Sequence, residues 1–342
     1  MRKLTTNQAL VMPFLLLLLC LLMPVVSQAE SDKPEEGIGF SYRNMMPENQ
    51  IGEGNYFDLL VKPSQKQTVI TEVTNETDDE LKLNVHVSDA KTGETGIIEY
   101  SPSSLKNTNG LKVKLTDIAQ APKEVRLKKG ETKQIEIDLT IPKKEFEGVI
   151  LGGIELQKVS KEEKTKDKVM IRNEYTYVYS VSLRESLESE SSIKGSMSPN
   201  NSIFVTKGGK NMAKASFNND TPTIVREMVV ESYVTASDSD RVLAESKLEQ
   251  MRMAPYSQID FPIMMDKPKV GSYMTHTKVT VGQLSWEWQE PFEVTENNLK
   301  ESKTYAEAII KNEVSIGLLL TIIVVLIMGT FILYMVIRRL IN

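Results

Sequence analysis

The stretch LKLNVHV, residues 81–87, sets Leu81, Leu83, Val85 and Val87 on one face and Lys82, Asn84 and His86 on the other. A period of two with one apolar face defines a half-buried antiparallel strand. The same alternation recurs outward on both sides. Phe57, Leu59 and Val61 precede it; Leu111, Val113 and Leu115, then Ile135, Ile137, Leu139 and Ile141, follow it. Turn chemistry separates the runs at Lys62-Pro63, Thr92-Gly93, Asn109-Gly110, Lys129-Gly130 and Ile141-Pro142. No run in this region has the period of a long amphipathic helix. The expectation is a mostly β chain whose residues 38–158 form an immunoglobulin-like β-sandwich.

Further along, SKEEKTKDK at 160–168 offers no apolar residue to pack and reads as a solvated linker, 159–169. Alternation restarts with Tyr175, Tyr177, Tyr179, Val181 and Leu183, so a second sandwich is expected over 170–296. Its other strands fall around Ile203 to Val205, Ala213 to Phe217, Ile224 to Val234, Ile259 to Ile263, Tyr273 to Val281 and Leu284 to Val294. The serine- and glutamate-rich segment from Ser186 to Ser198 reads as a loop. Asn298 with Glu301 three residues on has the spacing of a capping box, so the stalk over 297–313 reads either as a short helix or as a flexible spacer.

The two ends set topology. Arg2 and Lys3 precede an apolar run from Ala9 to Val26 and a Ser27-Gln28-Ala29 site, the pattern of a signal peptide spanning 1–29. Cys20 lies inside that segment and is the single cysteine, so the mature chain has neither disulfides nor thiolate metal ligands. A secreted chain of two domains without disulfides suits a bacterial surface. Near the other end, Val314 to Ile337 carries no charge and is long enough to cross a bilayer, and Arg338 and Arg339 place the tail 338–342 in the cytoplasm. The expected localisation is the cell membrane, single-pass, with the sandwiches outside. A net charge of −5 with interspersed signs argues against a nucleic-acid partner.

Reactive constellations are sparse. His86 and His276 sit on strand faces opposite the apolar set, and two histidines without cysteine do not make a familiar zinc site. No nucleophile elbow, P-loop or H-E-x-x-H occurs. The carboxylate pairs Glu35-Glu36, Asp78-Asp79 and Glu162-Glu163 lie in loop-like contexts, and no cofactor is implied. The expectation is a binding protein rather than an enzyme; a glycan-modifying enzyme and a surface sensor subunit are the alternatives. Candidate binding residues are few. Gly152 and Gly153 interrupt the apolar run EFEGVILGGIEL, 145–156, and mark either packing against the facing sheet or a close approach by a ligand. Trp286 and Trp288 share one strand face, as do Tyr175 and Tyr177, and each pair reads either as core or as an exposed aromatic patch.

MPENQIGEGNYFDLL, 46–60, followed by Lys62-Pro63 and Gln65 to Thr68, resembles the first block of the WxL-interacting proteins of Gram-positive bacteria. EFEGVILGGIEL is similar to the block closing that family's first domain; MRMAPYSQIDFPI, 251–263, and WEWQEPFEVT, 286–295, are similar to its second. The resemblance implies peptidoglycan binding by the first domain, host binding by the second and WxL-domain surface proteins as partners. It also implies a membrane anchor and no catalytic residues.

Overall fold

The computed structural model describes residues 38–105, 110–159, 175–187, 195–300 and 316–341. The predicted signal peptide, nearly all of the charged linker and most of the stalk lie outside these. The first set of strands is β1 (Phe40–Met45), β2 (Phe57–Leu60), β3 (Lys66–Asn75), β4 (Leu81–Asp89), β5 (Lys91–Thr92) and β6 (Ile98–Glu99), then a helical turn α1 (Leu115–Ile118). It continues with β7 (Ala119–Gln120), β8 (Glu124–Leu127), β9 (Thr132–Thr140), β10 (Ile150–Lys158) and β11 (Thr176–Arg184). They build two facing sheets, ordered β1-β3-β9-β7 and β2-β11-β10-β4-β8, and a small β5-β6 hairpin. Alternation does what it predicts: Leu81, Leu83 and Val85 of β4 and Ile135, Ile137 and Leu139 of β9 are buried, while their neighbours face outward.

The second set comprises β12 (Met197–Pro199), β13 (Ile203–Lys207), β14 (Lys210–Asn219), β15 (Val225–Ala236), β16 (Val242–Met253), β17 (Gln258–Met264), β18 (Gly271–Val281) and β19 (Leu284–Val294). In one sheet β14 pairs with β12 and β13, and with β17; the other runs β16-β15-β18-β19. Phe217 and Phe261 from the first and Met228, Val230 and Val279 from the second are completely buried in one shared core. Each such large side chain contributes about 1.5–3 kcal/mol on leaving water.

Four expectations change. The tyrosine strand β11 does not open the second sandwich: it lies inside the first, antiparallel to β10 with Gly152 opposite Val181 and parallel to β2 with Val181 opposite Phe57. Tyr179, Val181 and Leu183 complete the first core, so it is burial that fixes the strand's membership. Leu111, Val113 and Leu115 form no strand; Leu115 and Ile118, one helical turn apart on α1, both enter the core. β16 is an edge strand with most residues exposed, and a strand that buries one face only at its end shows no clear alternation. Finally, the helical turn at 296–300 is capped by Thr295, not Asn298. Asn298 N–H donates to Thr295 Oγ1 (3.4 Å) and Thr295 N–H donates to Asn298 Oδ1 (2.9 Å), the reciprocal pair of a capping box one turn earlier than expected.

A last helix, α2 (Ile316–Ile341), has 26 residues and spans about 39 Å at 1.5 Å per residue, more than the roughly 30 Å hydrocarbon core of a bilayer. Thr321–Arg339 is long and apolar enough to cross a membrane. The helix runs on through Arg338 and Arg339, two cations in its last turn where the helix dipole favours them.

Candidate binding surfaces

The block MPENQIGEGNYFDLL carries the chain from β1 in one sheet to β2 in the other. Its amides pin that crossing. Asn49 Nδ2 donates to Leu60 O (2.9 Å) and exchanges hydrogen bonds with the Gln67 amide (2.8 and 3.0 Å). Gln50 accepts from Asp58 N–H (3.1 Å) and donates to Tyr56 O (3.1 Å), while Asn44 and Asn55 bind each other's backbone. The residues that carry the resemblance therefore hold a fold-defining loop. Asp58 also pairs with Arg184 at 2.9 Å, both largely shielded from water, which ties β2 to the end of β11.

The aromatic ladder clamps the two sheets of the first sandwich. Tyr177 meets Phe40 edge-on at 5.1 Å and Tyr42 at 4.9 Å, and Tyr179 stacks on Tyr42 at 5.3 Å. The Tyr179 hydroxyl bonds Thr71 Oγ1 (2.6 Å), which itself donates to Asn44 Oδ1 (2.7 Å). Burial pushes the Tyr179 phenol well above its ordinary range, with the Thr71 hydrogen bond opposing it. Tyr179→Phe should cost about 1 kcal/mol of stability by removing one buried hydrogen bond, read as a shift in the urea midpoint. Tyr175 and Tyr177 are half-buried on this seam, and Tyr175 O accepts from Lys158 N–H (3.1 Å).

Gly152 and Gly153 are buried. A Cβ on Gly152 would meet Ser88 O at 2.3 Å and Leu115 Cδ2 at 2.5 Å; one on Gly153 would meet Tyr100 O at 2.4 Å. Protein atoms already occupy both faces of β10 there, which leaves no room for a ligand at either glycine. The third glycine of the run acts elsewhere. Gly148, at φ +74°, brings its backbone against Pro222 of the second sandwich, and Val149 N–H donates to Pro222 O (2.8 Å). Around this point Ala90, Ile98, Val149 and Leu151 pack with Ala254 in a small core between the sandwiches. Thr92 Oγ1 bonds the Ser257 hydroxyl (2.5 Å) and accepts from Ala254 N–H (3.0 Å); Arg252 N–H donates to Gly96 O (2.8 Å), and Lys214 pairs with Glu94 at 2.7 Å. Sequence reasoning missed this seam, because no single segment carries it.

Trp286 and Trp288 are half-buried on the inward face of edge strand β19, packed on the margin of the second core, with Trp288 5.4 Å from Phe217. They are neither wholly core nor free. Leu284, next on that face, is exposed. On the opposite face of the sheet His276 stacks on the exposed Tyr233 ring at 4.4 Å and its Nε2 meets Thr235 Oγ1 at 3.0 Å. His86 pairs with Glu155 at 3.1 Å. It opens onto a concavity of about 570 Å³ lined by Asn84, Val85, His86, Val87, Ser88, Pro102, Ala121, Lys123 and Glu124. Among the described residues no cluster of His, Cys, Asp or Glu could hold a metal ion. Asp78 is taken by Lys129 at 2.6 Å on the surface; Glu35-Glu36 and Glu162-Glu163 lie outside the described residues.

Two β domains joined by a packed seam, with half-buried aromatics at a sheet edge and a polar groove, match domain families of a surface binding protein. Family models for the WxL Interacting Protein match in order: its peptidoglycan binding domain over 40–158 and its host binding domain over 166–304. The chain belongs to the WxL Interacting Protein family. The second match takes in β11, which the fold places in the first sandwich. No curated protein matches. Solved structures with some likeness include the Csu pili chaperone–tip subunit complex of Acinetobacter baumannii (9% identity, TM-score 0.30, 67% of this chain and 92% of that one). Others are a Salmonella enterica pilin–chaperone complex (13%, 0.27, 69% and 98%) and a protein of unknown function from Porphyromonas gingivalis (14%, 0.25, 75% and 100%).

Proposed function

We propose that the chain is a membrane-anchored scaffold at the cell surface, which holds peptidoglycan through its first domain and docks a WxL-domain protein or a host surface protein through its second. The observation that carries this reading is the series of two binding domains followed by one apolar helix ending in Arg338 and Arg339. The helix crosses the membrane with those arginines inside. Recognition at the second domain uses the edge of β19, which has no further strand beside it among the described residues and where Leu284 and the half-buried Trp286 present apolar area. No reaction is assigned to it.

Full-length protein in detergent micelles, mixed with a purified WxL-domain protein encoded nearby and separately with sacculi, provides the test. Both are retained, and Trp286→Ala weakens the protein partner about tenfold while sacculus binding stays intact. Retention of neither sinks the proposal.

A further inference from the structure

The second strand of the concavity's wall is incomplete. β4 pairs with β8 only from Leu81 to Asn84, and the last contact is Val85 N–H to Lys123 O at 3.0 Å. Because that bond runs toward β8, and Val159 N–H donates to Lys82 O on the β10 side, odd residues of β4 direct their main-chain groups away from β10. Val87 N–H and C=O therefore point past the end of β8 toward the groove, with no strand beside them among the described residues. Two residues further, the Asp89 carboxylate accepts from Thr116 N–H (3.1 Å) and its hydroxyl (2.9 Å), which closes the opening with α1. Val87 is correspondingly half-exposed, although Leu81, Leu83 and Val85 on the same face are buried.

The charges around this opening are not balanced. Glu124 is held by Lys82 (2.5 Å) and Arg126 (2.8 Å), and these hydrogen bonds keep its carboxyl below the ordinary range. Glu155 Oε1 lies 3.1 Å from His86 Nδ1. Lys123 lines the groove with no carboxylate partner among the described residues.

We propose that this open edge of β4 is where the first domain takes the stem peptide of peptidoglycan, the peptide adding main-chain hydrogen bonds at Val87 and setting a free carboxylate on Lys123. The proposal rests on the peptidoglycan reading above and locates it. Three features favour a short anionic peptide. The open run bares the main-chain groups of one residue, too little for the strand of a folded partner, which usually pairs over about five or six. Among the described residues no Phe, Tyr or Trp lines the groove for a sugar to stack on. The γ-linked D-glutamate of a stem peptide leaves its α-carboxylate free beside an extended backbone, which matches a cation and a main-chain N–H and C=O that have no partner among the described residues.

The test uses full-length protein in micelles, whole sacculi, sacculi stripped of peptides by an amidase, and a soluble tripeptide of alanine, γ-linked D-glutamate and lysine. The tripeptide is expected to bind, to slow hydrogen exchange at the Val87 amide, and to lose about tenfold in affinity with Lys123→Glu. Stripped sacculi lose retention by a similar factor. Val87→Pro removes the donor without touching the β10 ladder, and Lys123→Glu, fully on the surface, serves should that variant fail to fold. Equal binding of whole and stripped sacculi, or of wild type and Lys123→Glu, overturns the groove assignment but leaves peptidoglycan binding standing. Failure of the wild type to retain whole sacculi overturns both. Loss of a WxL-domain protein in Lys123→Glu with sacculus binding unchanged assigns the edge to a protein strand and also overturns it.

Discussion

Asn219→Ala is expected to lower stability by about 2–4 kcal/mol. Asn219 is completely buried at the end of β14. Its Nδ2 donates to Thr223 O and Ala254 O, both at 2.9 Å, and its Oδ1 accepts from Thr221 N–H (3.1 Å) and Thr221 Oγ1 (2.7 Å). Truncation strands two carbonyls and an amide away from water, and no neighbouring side chain can replace all four bonds. Asn219→Asp keeps the acceptor but sets a buried carboxylate against the Thr223 and Ala254 carbonyls, so at neutral pH it should cost at least as much as alanine. Trp286 and Trp288 are the chain's two tryptophans, which makes urea unfolding followed by tryptophan fluorescence a report on this sandwich alone. A midpoint change worth less than about 0.5 kcal/mol would show that the turn does not depend on Asn219. The first sandwich repeats the device: Asn75 ends β3, donates to Asp79 O, Leu127 O and Lys128 O, and accepts from Thr77.

Gly148→Ala is expected to open the seam between the sandwiches. The backbone at Gly148 has φ +74°, and a Cβ there would lie 2.1 Å from Pro222 O, a backbone atom that cannot rotate away. Left-handed strain costs about 1–3 kcal/mol and relief of the overlap displaces Pro222, so the hydrogen bond from Val149 and the burial around Ala254 go with it. Hydrogen exchange should accelerate at the Val149, Arg252 and Ala254 amides while strands β3 and β18, far from the seam, keep their protection. Unchanged exchange at Val149 and Arg252 would refute the account. The two predictions are linked, since the turn that Asn219 closes is the one that presents Pro222. A double variant should therefore lose less than the sum of the single losses.

Much of the fold is readable from the chain. Strands such as β3 and β9, and β4 as far as Val85, bury every second residue, and that pattern survives without knowledge of partners. What could not be read is membership and depth. The alternation of Tyr177, Tyr179 and Val181 states that one face is buried but not against which sheet, and a charged segment before it invites the wrong assignment. β16 escaped notice because an edge strand with one partner needs little apolar periodicity. Of the candidate binding residues, the glycines were legible as close-approach positions, yet only the structure shows that Gly148 approaches the other sandwich while Gly152 and Gly153 approach their own. The groove at Val87 had no sequence signal, since it comes from β8 stopping short.

The position of β11 also bears on mechanics. A load passing down the chain from the second sandwich enters the first at Arg184, at the end of a strand paired over eight residues with β10 and four with β2. Neither set can be peeled one bond at a time from an edge, because β11 is flanked on both sides. On the anchoring proposed above, with wall polymer at one end and a membrane at the other, tension from swelling or shear reaches the first sandwich through this strand and through the seam.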